Sequence, residues 1–280
     1  MKIAEVKKLT PLEIFDYWVS ERQEIYLKRL NAVSKPWTDD EILMKFKFCN
    51  VLRINDRVSQ WLLENWYQPN FDHANMPTAV TLARQLNNTE SLADVGFPKK
   101  WSPAAVQKIL DKRVVNGLKN FAAAYMITGT LGGTKIEQVV HKVVTPIHAD
   151  RSKLIDRSSM KTTWENLLPY AGFSSFIAGQ VVADLRWTVD VEWPDKDEWA
   201  PMGPGSKRGM NRILGRKLGA PISKGEFQKE LAKLIDRVRS SRNWLQLPEA
   251  IDVQNCLCET DKYLRTLNGE GRPKQRFAGV

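Results

Sequence analysis

The chain has 280 residues, 42% of them hydrophobic and ten of them tryptophan, a composition of folded globular proteins that excludes a disordered or low-complexity polypeptide. Lysine and arginine number 42 against 32 aspartate and glutamate, a net charge of +10. A polyanionic partner is therefore expected, nucleic acid first and an anionic membrane surface second; a basic protein without such a partner is the plainer alternative. The three cysteines, Cys49, Cys256 and Cys258, form no disulfide framework, and with His73, His141 and His148 they give no zinc or iron–sulfur spacing. Neither a metal nor a cofactor is expected. The N-terminal "MKIAEVKKLTPLE" has no signal-type apolar segment and no apolar run reaches membrane-spanning length, so the expected location is the cytoplasm.

Helix starts are written along the whole chain. Ser or Thr followed three residues later by Glu, the capping-box pattern, occurs at Thr10/Glu13, Thr38/Glu41, Thr134/Glu137, Thr162/Glu165 and Ser223/Glu226. Pro11 and Pro103 stand where a first helical residue would be. After Thr10 the apolar Ile14, Phe15, Trp18, Val19, Ile25, Tyr26 and Leu30 recur near helical spacing, and only "RWTVDVEW" alternates as a short strand would. An all-α, two-lobed fold is predicted. Breaks at "YQPNFDHANMPT" and "VEWPDKDEWAPMGPGSKRG" delimit a contiguous middle lobe over 76–200, with 1–75 and 201–280 forming a second lobe from both chain ends. Such a layout leaves an interlobe cleft as the expected ligand site.

Four stretches carry candidate chemistry. "FCNVLRINDRVSQWLLENW" reads as a helix with Val51, Ile54, Val58, Trp61 and Leu62 on its apolar side. Asn50, Arg53, Arg57 and Gln60 lie opposite with Asp56 adjoining, an arrangement for carboxylate or phosphate recognition or for a structural Arg–Asp network. "LPYAGFSSFIAG" reads as a hairpin between two helices, the first capped by Thr162. Tyr170 and Gly172 lie at its turn, and Ser174 and Ser175 open the second helix. A turn of this kind grips a DNA phosphate with backbone N–H groups; an αα-hairpin in a core is the other reading.

"MGPGSKRGMNRILGRK" places Gly203, Gly205, Ser206, Lys207 and Arg208 at a helix start, where exposed amides and cations make a phosphate or pyrophosphate cradle, or else a loop with a solvated basic helix. Neither it nor "GTLGGTKIE" is a Walker A loop, so no ATP site is expected. "DVQNCLCETDKYLRTLNGEGRPKQRF" sets Asp252, Asn255, Glu259 and Lys262 on one helical stripe before a basic tail with Arg272 and Lys274, which would hold DNA electrostatically.

"KFCNVLRINDRVSQWL", "LPYAGFSSFIAGQVVADL", "GPGSKRGMNRI" and "NCLCETDKYLRTLNGEGRPKQRF" occur in this order over nearly the whole chain. Together they resemble the phage α-glutamyl/putrescinyl-thymine pyrophosphorylases, or amino acid:DNA transferases, and the helical module of 5-hydroxymethyluracil DNA kinases. The resemblance implies a helical fold like that of helix-hairpin-helix DNA glycosylases. It implies double-stranded DNA carrying a modified pyrimidine as substrate, with an amine or amino acid displacing pyrophosphate from the base's 5-methylene. It also implies a DNA base kinase as a partner. Under that chemistry Asp184 or Glu259 accepts the amine's proton, Arg53 and Arg57 bind a carboxylate, and Gly203, Gly205, Ser206, Lys207 and Arg208 bind pyrophosphate. Tyr170 or Trp187 stacks on or replaces an extruded base. Ser174 falls where bifunctional glycosylases carry a lysine and Gly203 near their aspartate, which disfavours base excision. A glycosylase acting on a modified base and a noncatalytic DNA-binding module serving a kinase are the alternatives.

Overall fold

A computed structural model of the chain describes residues 1–122, 131–188, 192–273 and 275–277. Among the described residues every regular element is helical, and the only pairing of β type is an isolated bridge between Phe46 and Arg276. In chain order the helices are α1 (Ile3–Val6), α2 (Pro11–Leu30), α3 (Glu41–Lys45), α4 (Arg57–Leu62), α5 (Met76–Leu86), α6 (Thr89–Val95) and α7 (Pro103–Val115). They continue with α8 (Lys135–Glu137), α9 (Thr145–Leu154), α10 (Met160–Leu167), α11 (Ser175–Leu185), α12 (Pro204–Ile213), α13 (Lys224–Ser240) and α14 (Ala250–Leu267). The fold is all-α. The chain divides into two compact units: 1–56 with 197–280, and 57–196. Residues 57–75, read from sequence with the terminal lobe, group with the contiguous unit.

Several helix starts follow from their capping residues. Thr10 and Thr134 accept the N–H of Glu13 and Glu137, whose carboxylates return to the cap N–H groups, and Ser223 accepts from Glu226. Two starts are displaced from their sequence reading. Asp40, not Thr38, caps α3: its Oδ1 accepts from Ile42 and Leu43 at 2.8 and 3.0 Å, while the Thr38 hydroxyl donates to Glu21. Ser159, not Thr162, caps α10, because Asp195 accepts from the amides of Met160 and Lys161 at 2.7 and 3.0 Å and fixes the chain there. The strand read in "RWTVDVEW" lies partly on 189–191, outside the described residues; 186–188 form a turn.

The first unit is built on α14. Helix α12 crosses it closely because two glycines face it: a Cβ on Gly205 would sit 3.1 Å from Cys258 Sγ, and one on Gly209 would sit 2.2 Å from the Leu257 carbonyl oxygen. Arg208 and Arg212 of α12 both donate to Asp261 of α14, at 2.8 and 2.9 Å. Helix α2 buries Ile14, Phe15, Trp18, Val19, Arg22 and Gln23 in the same unit.

In the second unit α5 is buried along its whole length and packs on α9 and α11. Between α8 and α9 the helix widens to a π turn over Gln138–Val144. Pro146, lacking an N–H, is accommodated there, and the amide and hydroxyl of Thr145 both donate to the Val140 carbonyl.

Gly209→Ala is expected to destabilise the protein by about 3 kcal/mol, since a methyl group meets backbone that cannot yield. Gly225, whose added Cβ would meet nothing within 4 Å, is the control: Gly225→Ala should gain roughly 0.4–1 kcal/mol. Urea denaturation of both variants checks the contrast, and equal stabilities would contradict it.

Candidate functional site

The stretch read as one helix from Phe48 to Trp66 is not one. Only Arg57–Leu62 is α-helical, continued by a π turn over Leu63–Tyr67; Arg53–Asn55 is a single tight turn, and Phe48–Leu52 is not helical. The reason is local competition for hydrogen bonds. Asn50 donates through Nδ2 to the Asn55 carbonyl at 2.6 Å, and its backbone N–H donates to Asp56 Oδ1 at 2.7 Å. These bonds close a polar loop that a helix would forbid.

The amides left outside that loop are taken by α14. The Cys49 N–H donates to Glu259 Oε2 at 2.9 Å, and the Arg53 N–H donates to Asp252 Oδ1 at 3.0 Å. Between them the Cys256 thiol donates to the Val51 carbonyl at 3.9 Å. One turn further along α14, the Tyr263 hydroxyl donates to Asp40 at 2.6 Å, joined by Tyr17 at 2.9 Å. Positions 252, 256, 259 and 263 share one helical face, so a single stripe holds alternate backbone groups of the 49–53 chain.

Around this seam charged groups gather. Glu259 Oε2 also accepts from Lys262 Nζ at 2.6 Å, and that ammonium lies 4.5 Å from the centre of the Phe48 ring. Arg22 reaches in from α2: its Nε donates to the Cys49 carbonyl at 3.0 Å and its Nη2 to Asn50 Oδ1 at 2.7 Å. Burial pushes the Asp56 carboxyl above the usual carboxylate range, against the pull of the Asn50 amide, Arg53 and Arg22. Burial likewise lowers Arg22 from its ordinary value, with Asp56 opposing. For Lys262 burial works downward, and the surrounding acidic groups, Glu259 foremost with Asp56 behind it, together leave the ammonium above its usual value. Burial pushes the Cys258 thiol up to about 12 and raises Cys49 and Cys256 well above their ordinary range, so these thiols stay protonated.

Arg53, Asp56, Glu259 and Lys262 thus meet in one cluster of the first unit, as does Arg22, which the sequence reading missed. Its signal was there: Arg22 follows Trp18 by four and Phe15 by seven residues, a cation in the apolar register of α2. The segment Gly203–Arg208 lies on the other side of α14. There Gly205 serves the helix crossing, Ser206 is buried with its hydroxyl bonded to Gly203 and Gln254, Lys207 is half-buried, and Arg208 is paired with Asp261. Arg272 is exposed; beyond it the tail pairs with the chain before Phe48, the Lys47 N–H donating to the Gln275 carbonyl and the Phe277 N–H to that of Lys45. Lys274 lies outside the described residues.

The remaining candidates belong to the second unit. Asp184 is fully buried, and its carboxylate takes a bidentate pair from Arg84 at 2.7 and 2.5 Å and the Tyr67 hydroxyl at 2.7 Å. Arg84 is held in turn by Ser59 and Asn87. This is the geometry of a structural ion pair joining α5 to α11. Arg57 is exposed at the start of α4. In the turn between α10 and α11, Tyr170 donates to Asp150 at 2.9 Å, Ser174 caps α11, and the Ser175 carbonyl accepts from Trp164. Gly172 is required twice over: its φ is +81°, and a Cβ there would lie 2.6 Å from Val143 Cγ2 in the π turn. The turn nevertheless leaves Pro169, Ala171, Gly172 and Ser174 exposed. Among the described residues no group of histidine, cysteine and carboxylate side chains could hold a metal ion, and no helix is long and apolar enough to cross a membrane.

Comparison with known proteins sets this arrangement in context. A family model described as the helical domain of 5-hmdU DNA kinase matches residues 10–272. A 5-hmdU DNA kinase of Bacillus phage SP10 is 24% identical over 222 residues, which is 69% of this chain and 34% of the phage protein. The chain therefore spans about a third of the length of that curated relative. No solved structure matches.

The Asp184 ion pair yields a direct expectation. Asp184→Asn leaves Arg84 buried without its counter-charge and should cost about 3–5 kcal/mol in chemical denaturation. Stability within 1 kcal/mol of the parent, combined with loss of activity, would instead make Asp184 a catalytic group.

Proposed function

The chain belongs to the family of 5-hmdU DNA kinase helical domains, and from that membership we propose that it modifies DNA bearing a hydroxymethyluracil-derived base. In the specific reading, an amine or amino acid displaces pyrophosphate from the base's 5-methylene. The observation that carries this reading is the convergence of Arg22, Asp56, Glu259 and Lys262 around the 49–56 chain, in a family tied by name to that base. The amine nitrogen forms a bond to the methylene carbon as the carbon–oxygen bond to pyrophosphate breaks. The proton released by the amine goes to a carboxylate, here Glu259. Lys262 and Arg53 oppose the charge that grows on the departing pyrophosphate. The target carbon is reached with the base out of the stack. The exposed turn at 169–174 and Arg272 are assigned to the DNA backbone, and Lys207 to positioning phosphate.

A second reading has its own support. The family model covers nearly all of this chain, and the stretch matched in the phage kinase is a third of that protein, as expected of a module that presents DNA to a kinase. The protein alone, duplex DNA carrying 5-(pyrophosphoryloxymethyl)uracil and a pool of amines separate the two. Pyrophosphate release with an amine-bearing nucleoside by mass is expected. Glu259→Gln should then lower saturated turnover on the order of a hundredfold. No product, with stimulation of a hydroxymethyluracil DNA kinase instead, would replace the transferase reading with the module reading.

DNA contact at the turn is tested through Ser174. Aspartate caps a helix as well as serine does, so Ser174→Asp keeps the fold while placing a charge where phosphate would lie. Binding to duplex DNA should weaken several-fold, and the parent's affinity should fall steeply with salt. Unchanged affinity in the variant would make the turn a core element only.

A further inference from the structure

In the second unit an apolar tip stands in solvent at the end of α7. Val114 to Lys119 are all exposed, and three of them are aliphatic: Val114 is 57% exposed, Val115 85% and Leu118 46%. Single exposed aliphatic residues are ordinary, but neighbouring ones form the kind of patch that marks a contact surface.

The backbone under this tip is fixed. Gly117 takes a φ of +72°, its N–H donating to the Val114 carbonyl and that of Leu118 to the Arg113 carbonyl. The Lys119 carbonyl accepts from Asn88 and Ser91 at 3.0 and 3.2 Å and from Arg113 Nη2 at 3.2 Å. Buried Asn120 accepts from Arg113 Nε at 3.1 Å and donates to the Leu110 carbonyl at 2.8 Å. The turn is therefore ordered before any partner arrives, and docking costs it little further freedom.

Its charge indicates the partner. Exposed Lys112 and Lys119 flank the tip, exposed Lys108 lies one turn earlier, and Asp111 is the single acid of residues 103–120. Cations beside aliphatic side chains fit a polyanion with an apolar interior, which describes stacked bases behind phosphates. An anionic bilayer shares part of that chemistry; the family's tie by name to a DNA kinase favours the duplex. Helix α7 also passes the hairpin assigned to the DNA backbone. Gln107 meets His141 of the π turn at 2.7 Å, and Val143 of the same turn lies under Gly172. From Gln107 to the tip is about 12 Å of helix, which keeps tip and hairpin within one helical turn of DNA, about 34 Å.

We propose that Val115 and Leu118 form an apolar wedge that enters the base stack of duplex DNA and opens a step beside the target base. The wedge rests on the DNA-modifying reading for the identity of its polyanion, but it requires no transfer step.

The test uses the whole protein and a duplex carrying 2-aminopurine beside 5-hydroxymethyluracil, whose emission rises when the base unstacks. Saturating parent protein should raise it several-fold. Val115→Thr with Leu118→Ser changes exposed positions only, so the fold should persist. That double variant should lose most of the rise, while its affinity for the duplex falls less than about tenfold because the phosphate contacts remain. Leu118→Met should keep the rise. Lys119→Gln should weaken binding and flatten its salt dependence, with emission at saturation unchanged. Duplex binding without a rise in the parent, or an equal rise in the double variant, overturns the wedge and leaves the DNA-modifying reading standing. No duplex binding at all removes both, and a rise without transfer product retains the wedge and removes the reaction. Sedimentation with phosphatidylserine vesicles that is seen for the parent and lost in the double variant would assign the tip to a membrane and overturn the proposal.

Discussion

A helix that offers carboxylates to an extended chain is the constraint on which the first unit depends. Extended backbone inside a protein must find partners for its N–H and C=O groups, and among the described residues no sheet supplies them. Helix α14 supplies them from its side chains instead. Asp252 and Glu259, two turns apart, take the amides of Arg53 and Cys49, and Cys256 meets the carbonyl between. Once the chain is fixed in that register, Asn50 and Asp56 close the turn beyond it, and Arg22 bonds to the carbonyl and amide that the turn exposes. The charged cluster is thus a consequence of how a strand-like segment was docked on a helix.

The opposite face of α14 is shaped by a steric demand. Gly209 lets the α12 backbone touch the Leu257 carbonyl, and Gly205 lets it pass Cys258. Asp261, 1% exposed, then lies where Arg208 and Arg212 can both reach it. Gly205, read in the sequence as part of a phosphate loop, serves in the fold together with Gly209 to bring two helices together. The second unit repeats the logic with other residues. A buried Arg84–Asp184 pair fixes α5 against α11, and Gly172 admits Val143 beneath the hairpin turn.

Much of the fold is legible in the sequence because helix starts are local events: Thr10, Thr134 and Ser223 meet their partners three residues away. The stripe Asp252–Asn255–Glu259–Lys262 is legible for the same reason, as spacing within one helix. What escapes is non-local. The apolar pattern at Val51, Ile54 and Val58 mimics a helix; the local bonds of Asn50 to Asn55 and Asp56 break it, and the bonds to residues about two hundred positions away that then hold the 49–53 backbone lie outside any local pattern. Asp184 and Glu259 look alike as acids in a sequence. In the structure one is spent on Arg84, and the other holds an amide and an ammonium at the edge of a polar cluster.

The central claim is that α14 side chains, rather than solvent, hold the 49–53 backbone, and that this seam positions the site. Residue-resolved hydrogen exchange measures it directly. The Cys49 and Arg53 amides should exchange as slowly as those of α14 itself, and Glu259→Ala should speed Cys49 selectively while Arg53 stays protected by Asp252. Exchange of both amides in the parent at the rate of an open loop would contradict the account.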